Sequence, residues 1–310
     1  MRRFMIDTDT ASDDAIAILM ALRHPDVVVE AITVVAGNVP VSQGVQNALY
    51  AVELAAGDTP VYAGCARPLL RDLDTAQDVH GEDGMGDCGL PVSGRRAAPG
   101  RAVDVLVDTI LGSPGEITLV AIGPLTNLAA AMIRAPEVAD ALSRCVIMGG
   151  TGMGGPGNAS PLAEYNLWAD PEAARVVVRS GVDLEIVGWD VSIASAAVTP
   201  QRAAQIRAVD SPLSEFTMKV QSRVAELVAD HPILDGPDLP DPITMAYAID
   251  PSVATTAMVA VDVVTCGGPA RGALEIDRLG FERRRPNAIV VTHYPADHFF
   301  AMLTDLLARL

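Results

Sequence analysis

The sequence predicts an α/β fold with one open, mostly parallel sheet and helices on both faces. Short apolar runs typical of buried strands alternate along the chain with segments of helical periodicity. Such alternation is typical of a parallel sheet covered by helices on both sides. No internal repeat, linker or break in composition divides the 310 residues. We therefore expect one domain spanning residues 1–310.

Four carboxylates lie within eight residues near the N-terminus, in the segment Asp7-Thr8-Asp9-Thr10-Ala11-Ser12-Asp13-Asp14. The short apolar run before it, Arg3-Phe4-Met5-Ile6, is typical of a buried strand, and apolar residues recur at helical spacing over residues 15–22. Ser12 or Asp13 is placed to cap the start of that helix. The segment is therefore predicted to join a strand, a loop and the first turn of a helix.

This arrangement directs several carboxylates at one small volume. Asp7 and Asp9 are two residues apart, so they share a side at a strand end. Asp13 and Asp14 enter from the first helical turn. Carboxylates this close raise one another's pKa unless a cation lies between them, and all-oxygen ligation favours Ca²⁺ or Mg²⁺. The alternative is that Asp13 caps the helix and the others are solvated, helped by the helix dipole.

Polar residues follow the ends of several further predicted strands. Strands are predicted at 27–35, 61–62, 117–122, 145–148, 184–188, near 257–265 and at 287–292. Helices are predicted at about 41–55 and 101–112, after 127, from 171, up to about 230, from about 242 and at the C-terminus. Asn38, the turn after Ile122, the loop after Met148 and the pair Trp189-Asp190 all follow strand ends. Ligands bind at this edge of open α/β sheets, which favours the metal-site interpretation.

Residues 64 to 100 are the most irregular stretch, rich in Gly, Asp and Pro, and contain the segment from His80 to Asp87. A loop this long in a compact domain is usually functional or disordered. Whether it closes over a ligand is left open at this point.

Composition excludes several classes of protein. The net charge of -17 and a single lysine, Lys219, argue against nucleic acid as a partner. No uncharged apolar run reaches 18 residues, so no membrane partner is expected, and Met1-Arg2-Arg3 lacks the apolar core of a signal peptide. The four cysteines form no CxxC pair. A reducing cytoplasm is the expected location.

The chain resembles the nucleoside hydrolases, the inosine–uridine-preferring ribohydrolase family. The resemblance runs in order from residue 5 to about 250 and begins with the Asp7-Thr8-Asp9-(x)₃-Asp13-Asp14-Ala15 signature. The further matching segments are Ala36-Gly37-Asn38, His80-Gly81, Gly123-Pro124-Leu125-Thr126-Asn127, Met148-Gly149-Gly150, Asn158, Ala163-Glu164-Tyr165-Asn166, Asp170-Pro171-Glu172-Ala173-Ala174 and Asp241-Pro242.

This resemblance implies a Rossmann-like open fold that binds Ca²⁺ and hydrolyses the N-glycosidic bond of ribonucleosides, releasing ribose and free base. It also implies a homodimer or homotetramer that takes part in purine or pyrimidine salvage. The implied metal ligands are the carboxylates of Asp9, Asp14 and Asp241 and the backbone carbonyl of Ile122.

The same resemblance implies roles for the remaining site residues. Asp9 would deprotonate the attacking water, and Asp7 would orient the metal ligands. The ribose 2′- and 3′-hydroxyls would be held by Asp13, Asn38 and Asn166. Asn158 and Glu164 would bind the 5′-hydroxyl.

The chain departs from the family pattern at the residue that protonates the leaving base. Inosine–uridine-type members carry a histidine acid just before the last metal aspartate, and this chain has Pro240 there. Val224 and Val228 fall near positions where tyrosines are often found. A general acid is typically worth about 10²–10⁴-fold in rate. His80 is the expected substitute acid; the other candidates are His231, Asp235 and Asp238, and Trp189 could stack on a purine.

Two alternatives compete with a hydrolase. Asp7-x-Asp9 suggests a haloacid-dehalogenase-like phosphatase, but Ala11 replaces the expected Thr or Val and the glycine-rich turns carry no lysine. The second is a non-catalytic or attenuated homologue that binds Ca²⁺ and ribosides, motivated by Pro240. Retention of Asp9, which has a dedicated role as base, argues against it.

Overall fold

The computed structural model describes residues 1–231 and 234–309, and a sheet of eight strands runs through its centre. The strand order is β3-β2-β1-β4-β5-β6-β10-β7, and only the edge strand β7 pairs antiparallel. A separate antiparallel hairpin is formed by β8 and β9. The strands are β1 (Arg2–Thr8), β2 (Val27–Val34), β3 (Val61–Ala63), β4 (Ile117–Ala121), β5 (Arg144–Met148), β6 (Leu184–Val187), β7 (Thr255–Val259), β8 (Val261–Val263), β9 (Leu274–Ile276) and β10 (Ala288–His293).

Helices cover both faces of this sheet, as predicted. Side chains alternate along β1, so that Phe4 and Ile6 belong to one apolar cluster and Met5 to the other. The described helices are α1 (Ser12–Arg23), α2 (Val41–Leu54), α3 (Gln77–His80), α4 (Ala102–Gly112), α5 (Thr126–Arg134), α6 (Val138–Ala141), α7 (Tyr165–Ala169), α8 (Pro171–Val178), α9 (Trp189–Ser195), α10 (Pro200–Arg207), α11 (Pro212–Val220), α12 (Ser222–Val228), α13 (Pro240–Ile249) and α14 (Ala296–Ala308).

The strand order reverses between β1 and β4, which lie side by side at the centre of the sheet. In open α/β sheets, the crevice beyond the carboxyl ends at such a reversal is where ligands bind. Asp7 is paired with Ala121 in this register, so the Asp-rich segment and the turn after Ile122 emerge together. The polar strand ends singled out in the sequence therefore meet at one edge.

The C-terminal third differs most from the prediction. The strand expected near 257–265 is two strands, β7 and β8, which belong to different sheets. The partner of β8 is β9, a three-residue strand that was not predicted because it is too short to show a period. The irregular stretch at 64–100 contains the one-turn helix α3. None of the helices in the described ranges could cross a membrane, and the single domain stays a prediction.

A largely buried ion pair fixes α13, the helix that carries Asp241, against the sheet. Arg144 on β5 donates two hydrogen bonds to Glu185 on β6, at 2.7 and 2.8 Å. The Tyr247 hydroxyl of α13 donates to the same carboxylate at 2.5 Å. Arg144 also donates to the Ala248 carbonyl at 2.9 Å. The helix is therefore tied to the two strands it covers.

We expect Arg144→Met to lower the free energy of unfolding by about 3 kcal/mol, because it leaves the Glu185 carboxylate buried without its cation. Arg134→Met is the matched control, since its ion pair with Asp104 is exposed, and it should cost below about 1 kcal/mol. Urea denaturation of both variants measures the difference. Equal losses would contradict the role given to Arg144.

Candidate active site

Asp14, in the first turn of α1, has a hydrogen bond at each of its carboxylate oxygens. Asp14 Oδ1 accepts from the Thr8 hydroxyl at 2.6 Å, and Oδ2 accepts from the Ala11 N–H at 2.9 Å. The helix N-cap position is Ala11, so the prediction that Ser12 or Asp13 caps α1 is wrong. Asp14 takes that role from the first turn instead, which leaves Asp13 available to the site.

Three carboxylates converge where the start of α1 meets the start of α13. Oxygen atoms of Asp13, Asp14 and Asp241 lie within 4.8 Å of one another, and all three residues are buried. Within the described ranges no arginine or lysine forms an ion pair with them. Burial raises the pKa of Asp13 to about 6, and burial and then the charge of Asp13 raise the pKa of Asp14 to about 6. Burial, Asp13 and Asp14 raise the pKa of Asp241 well above its usual value.

Asp9 lies beside this cluster and is fully buried, and only one of its two carboxylate oxygens has a hydrogen-bond partner in the described structure. Its Oδ2 accepts from the Asn38 N–H at 2.6 Å, and its Oδ1 is buried with no hydrogen-bond partner in the described structure. Burial and the charge of Asp14 raise its pKa well above the usual value. Two glycines allow this placement: a Cβ on Gly37 would lie 2.1 Å from Asp9 Oδ2, and one on Gly123 would lie 2.7 Å from the Asp9 nitrogen.

These carboxylates fit a divalent cation. The cluster and Asp9 are buried, their pKa values are raised, one carboxylate oxygen has no hydrogen-bond partner, and no positive group among the described residues pairs with them. A bound cation would reduce the repulsion between these carboxylates. The donor set is entirely oxygen, which suits Ca²⁺ or Mg²⁺. The tight cluster contains Asp13, which the sequence did not predict as a metal ligand, and does not contain Asp9, which the sequence did predict. The predicted carbonyl of Ile122 accepts from the Asn166 side-chain amide at 3.3 Å.

Asp7 is not a member of the cluster. Its Oδ1 accepts from the Thr33 hydroxyl at 2.5 Å and from the Asn127 amide at 2.8 Å. Burial raises its pKa to about 7. These bonds tie β1 to β2 and α5, so Asp7 supports the backbone that carries Asp9.

A second group of polar side chains comes from the glycine-rich loop and α7. The Glu164 carboxylate accepts from the Gly150 N–H at 2.9 Å and from the Asn166 N–H at 2.7 Å. Burial raises the pKa of Glu164 to about 7. Asn158 Oδ1 accepts from the Tyr165 N–H at 2.8 Å. Three predicted substrate-binding residues are therefore held in one hydrogen-bonded unit.

Most of the predicted site residues line a single cavity of about 380 Å³, the size expected for a small-molecule ligand. Asp9 and Asp14 are the predicted members that do not line it, and both are fully buried. The predicted residues in the lining are Asp13, Asn38, His80, Ile122, Asn158, Glu164, Asn166 and Asp241.

His80 lies in this lining at the end of α3. Its Nδ1 shares a hydrogen bond of 2.9 Å with the Ser12 hydroxyl, whose oxygen also accepts from the Gln221 amide at 3.3 Å. Burial lowers the pKa of His80, although the carboxylate of Asp14 opposes the shift. Sequence reasoning missed both partners, because neither Ser12 nor Gln221 stands in a recognisable catalytic motif.

The same cavity also has several apolar lining residues. Val224 and Val228 of α12 line it together with Pro240 and Trp189. Of the candidate acids, His231 and Asp238 are in the lining and Asp235 is not. The structure therefore brings Asp238, His80 and His231 to the same cavity.

Comparisons with known proteins agree with this geometry. The profile of the family described as inosine-uridine preferring nucleoside hydrolase matches residues 4–301. A pyrimidine-specific ribonucleoside hydrolase, RihB, of Escherichia coli O17:K52:H18 is 35% identical over 307 residues, which cover 98% of this chain and 96% of RihB.

Solved structures show the same fold. A plant nucleoside hydrolase, PpNRh1, superposes with a TM-score of 0.93 at 32% identity, covering 100% of this chain and 99% of its own. A purine-preferring ribonucleoside hydrolase from Gardnerella vaginalis gives 0.90 at 30% identity and covers 99% of each chain. The α/β prediction is confirmed, and the phosphatase and non-catalytic alternatives have no support. The chain belongs to the inosine-uridine preferring nucleoside hydrolase family of enzymes.

Proposed function

We propose that this protein is a Ca²⁺-dependent ribonucleoside hydrolase that cleaves the N-glycosidic bond and releases ribose and free base. One observation carries the proposal: Asp13 and Asp241, which belong to a cluster of three buried carboxylates without a described positive partner, line a cavity of about 380 Å³. The walls of that cavity carry amide and carboxylate side chains suited to a sugar. The names of relatives support a riboside substrate.

The proposed cation ligands are Asp9, Asp14, Asp241 and the carbonyl of Ile122. Ca²⁺ fits an all-oxygen site that also admits water and a diol, whereas Mg²⁺ demands a more rigid octahedron. When bound, the cation would polarise water and orient the ribose diol. Asp13 would stand beside it, with Asn38 and Asn166, to accept and donate hydrogen bonds at the 2′- and 3′-hydroxyls.

Asp9 would act as the base. The Asn38 N–H holds Oδ2 at 2.6 Å, and Oδ1, which has no hydrogen-bond partner among the described residues, would accept a proton from the attacking water. Since breaking the bond builds positive charge on ribose, the surrounding carboxylates stabilise the transition state more than the bound substrate. Glu164 and Asn158 would hold the 5′-hydroxyl from the other side.

His80 is the proposed acid for the departing base. It lines the cavity, and its hydrogen bond with Ser12 fixes the ring through Nδ1. A neutral ring with the proton on the other nitrogen, Nε2, would donate it toward the cavity. We further propose a cytoplasmic enzyme of nucleoside salvage that forms a homodimer or homotetramer, as expected from the cysteine usage and the family.

We expect elemental analysis of freshly purified protein to find one Ca²⁺ per chain. Asp241→Asn should lose the ion, while Asp230→Asn, at an exposed carboxyl, should retain it. Ca²⁺ at a hundredfold excess over its Kd should add about 2.7 kcal/mol to the free energy of unfolding. Zinc in place of calcium, or undiminished activity after exhaustive chelation, would refute the assignment.

We expect ribosides to be preferred over 2′-deoxyribosides by at least about 10²-fold in kcat/KM, because the missing hydroxyl leaves buried polar groups unpaired. Inosine and 2′-deoxyinosine are the matched pair. Asn38→Ala should reduce the preference for inosine over 2′-deoxyinosine, whereas a change at an exposed residue, such as Asp230→Asn, should preserve that preference. Equal kcat/KM values for the pair would contradict the assigned ribose contacts.

The leaving-group step should depend on His80 and the water step on Asp9. Asp9→Asn should suppress inosine and p-nitrophenyl riboside alike, because both need the activated water. His80→Ala should spare the nitrophenyl substrate, which needs no protonation, and lower inosine turnover by about 10²–10⁴-fold.

Pro240→His is the complementary variant. In the His80→Ala background it should restore part of the inosine rate, provided the start of α13 tolerates the loss of proline's fixed φ. Steady-state rates with both substrates measure this. If neither His80 nor Pro240 changes alter the ratio of the two rates, His80 is not the acid.

A further inference from the structure

Among the described residues that line the cavity, one carboxyl group has no part in the mechanism above. It belongs to Asp238, three residues before Asp241 in sequence, and the apolar side chains of Val224 and Val228 line the same cavity. Apolar lining residues with a few polar groups that fix orientation are typical of small-molecule sites.

Two groups of α9 fix the orientation of this carboxyl. The Ser192 hydroxyl, which is fully buried, donates to Asp238 Oδ2 at 2.6 Å. The indole N–H of Trp189, which also lines the cavity, is a second donor near Asp238 and favours its ionised form. Because α9 begins directly after β6, these contacts position Asp238 relative to the central sheet.

Both contacts come from hydrogen-bond donors, so Asp238 acts as an acceptor. Burial raises the pKa of Asp238, and the bonds from Ser192 and Trp189 oppose that shift by favouring the ionised form. Asp238 and Asp13 line the same cavity, and the charge of Asp238 raises the pKa of Asp13. No arginine or lysine within residues 1–231 and 234–309 pairs with Asp238.

A carboxylate has about four lone-pair positions, and the two protein donors occupy only part of them. The remaining acceptor capacity is available to the cavity. A nucleobase bound in this cavity would present ring N–H or amino groups on its edge, and these are the donors that such an acceptor would bind.

We propose that Asp238 determines base specificity by accepting a hydrogen bond from an N–H group on the edge of the nucleobase. The inference rests on the proposed ribonucleoside hydrolase function and deepens it. It concerns binding of the base and is separate from proton donation by His80. Relatives of similar identity are named for pyrimidine and for purine substrates, so base choice must depend on residues of this chain.

Asp238→Asn tests the proposal without changing the size of the side chain. The donors Ser192 and Trp189 should keep the amide oxygen toward them, which turns the NH₂ group toward the base. An acceptor thereby becomes a donor. Inosine and adenosine form one pair of test substrates, and uridine and cytidine form the other. For the member of each pair that the native enzyme hydrolyses better, kcat/KM should fall about 10- to 100-fold in the variant, relative to kcat/KM for purine riboside, whose base has no N–H group.

Two controls separate this effect from damage to the site. p-Nitrophenyl riboside carries no N–H donor, so its kcat/KM should change less than about threefold in Asp238→Asn, within the scatter of surface substitutions. Asp230→Asn removes an exposed carboxyl and should change no ratio. Ser192→Ala keeps the charge but loosens Asp238, and should lower selectivity by about 3- to 10-fold.

Each contrary result has a distinct meaning. A uniform loss over all natural nucleosides and purine riboside, with the nitrophenyl substrate spared, would make Asp238 a proton donor and overturn the specificity role. A loss that includes the nitrophenyl substrate would show a structural role and also overturn it. Unchanged selectivity in both Asp238→Asn and Ser192→Ala would do the same. If the native enzyme hydrolyses no riboside at all, the proposed function fails first.

Discussion

The site depends on keeping several like charges out of water at one sheet edge. Asp9, Asp13, Asp14 and Asp241 are buried, and no arginine or lysine of the described chain pairs with them. Burying a carboxylate without a partner costs several kcal/mol, so the rest of the fold must hold these side chains together. Backbone N–H groups of Ala11 and Asn38 supply part of the compensation. A divalent cation would supply the remainder.

The sequence motifs around the site also form hydrogen bonds that hold strand ends and loops in place. In Gly123-Pro124-Leu125-Thr126-Asn127, the Asn127 amide donates to Asp7, and the Thr126 hydroxyl donates to Asp170 at 2.7 Å. Asp170 also accepts from the Leu69 N–H at 2.8 Å, which anchors the irregular stretch at 64–100. These residues therefore connect strand ends and loops to one another, and the reactive groups are placed indirectly.

The sequence was informative where chemistry and periodicity are local. The alternation of strands and helices predicted the central sheet, and the polar residues at strand ends predicted where side chains such as Asp9 and Asn38 meet. It failed where partners are distant or elements are short. The capping role of Asp14, the link from His80 through Ser12 to Gln221 and the division of residues 257–265 between two sheets all depend on contacts that no local pattern encodes.

Pro240 affects both the proposed cation site and the proposed leaving-group site. It occupies the first turn of α13, where proline's fixed φ favours the helix and its missing N–H costs nothing. Asp241 is the next residue, so proline stiffens the turn that presents a proposed cation ligand. The same change removes the histidine expected beside the departing base. Our proposals therefore assign the contacts with the base to neighbouring segments, namely to His80 on α3 and to Asp238 before α13, which line the same cavity.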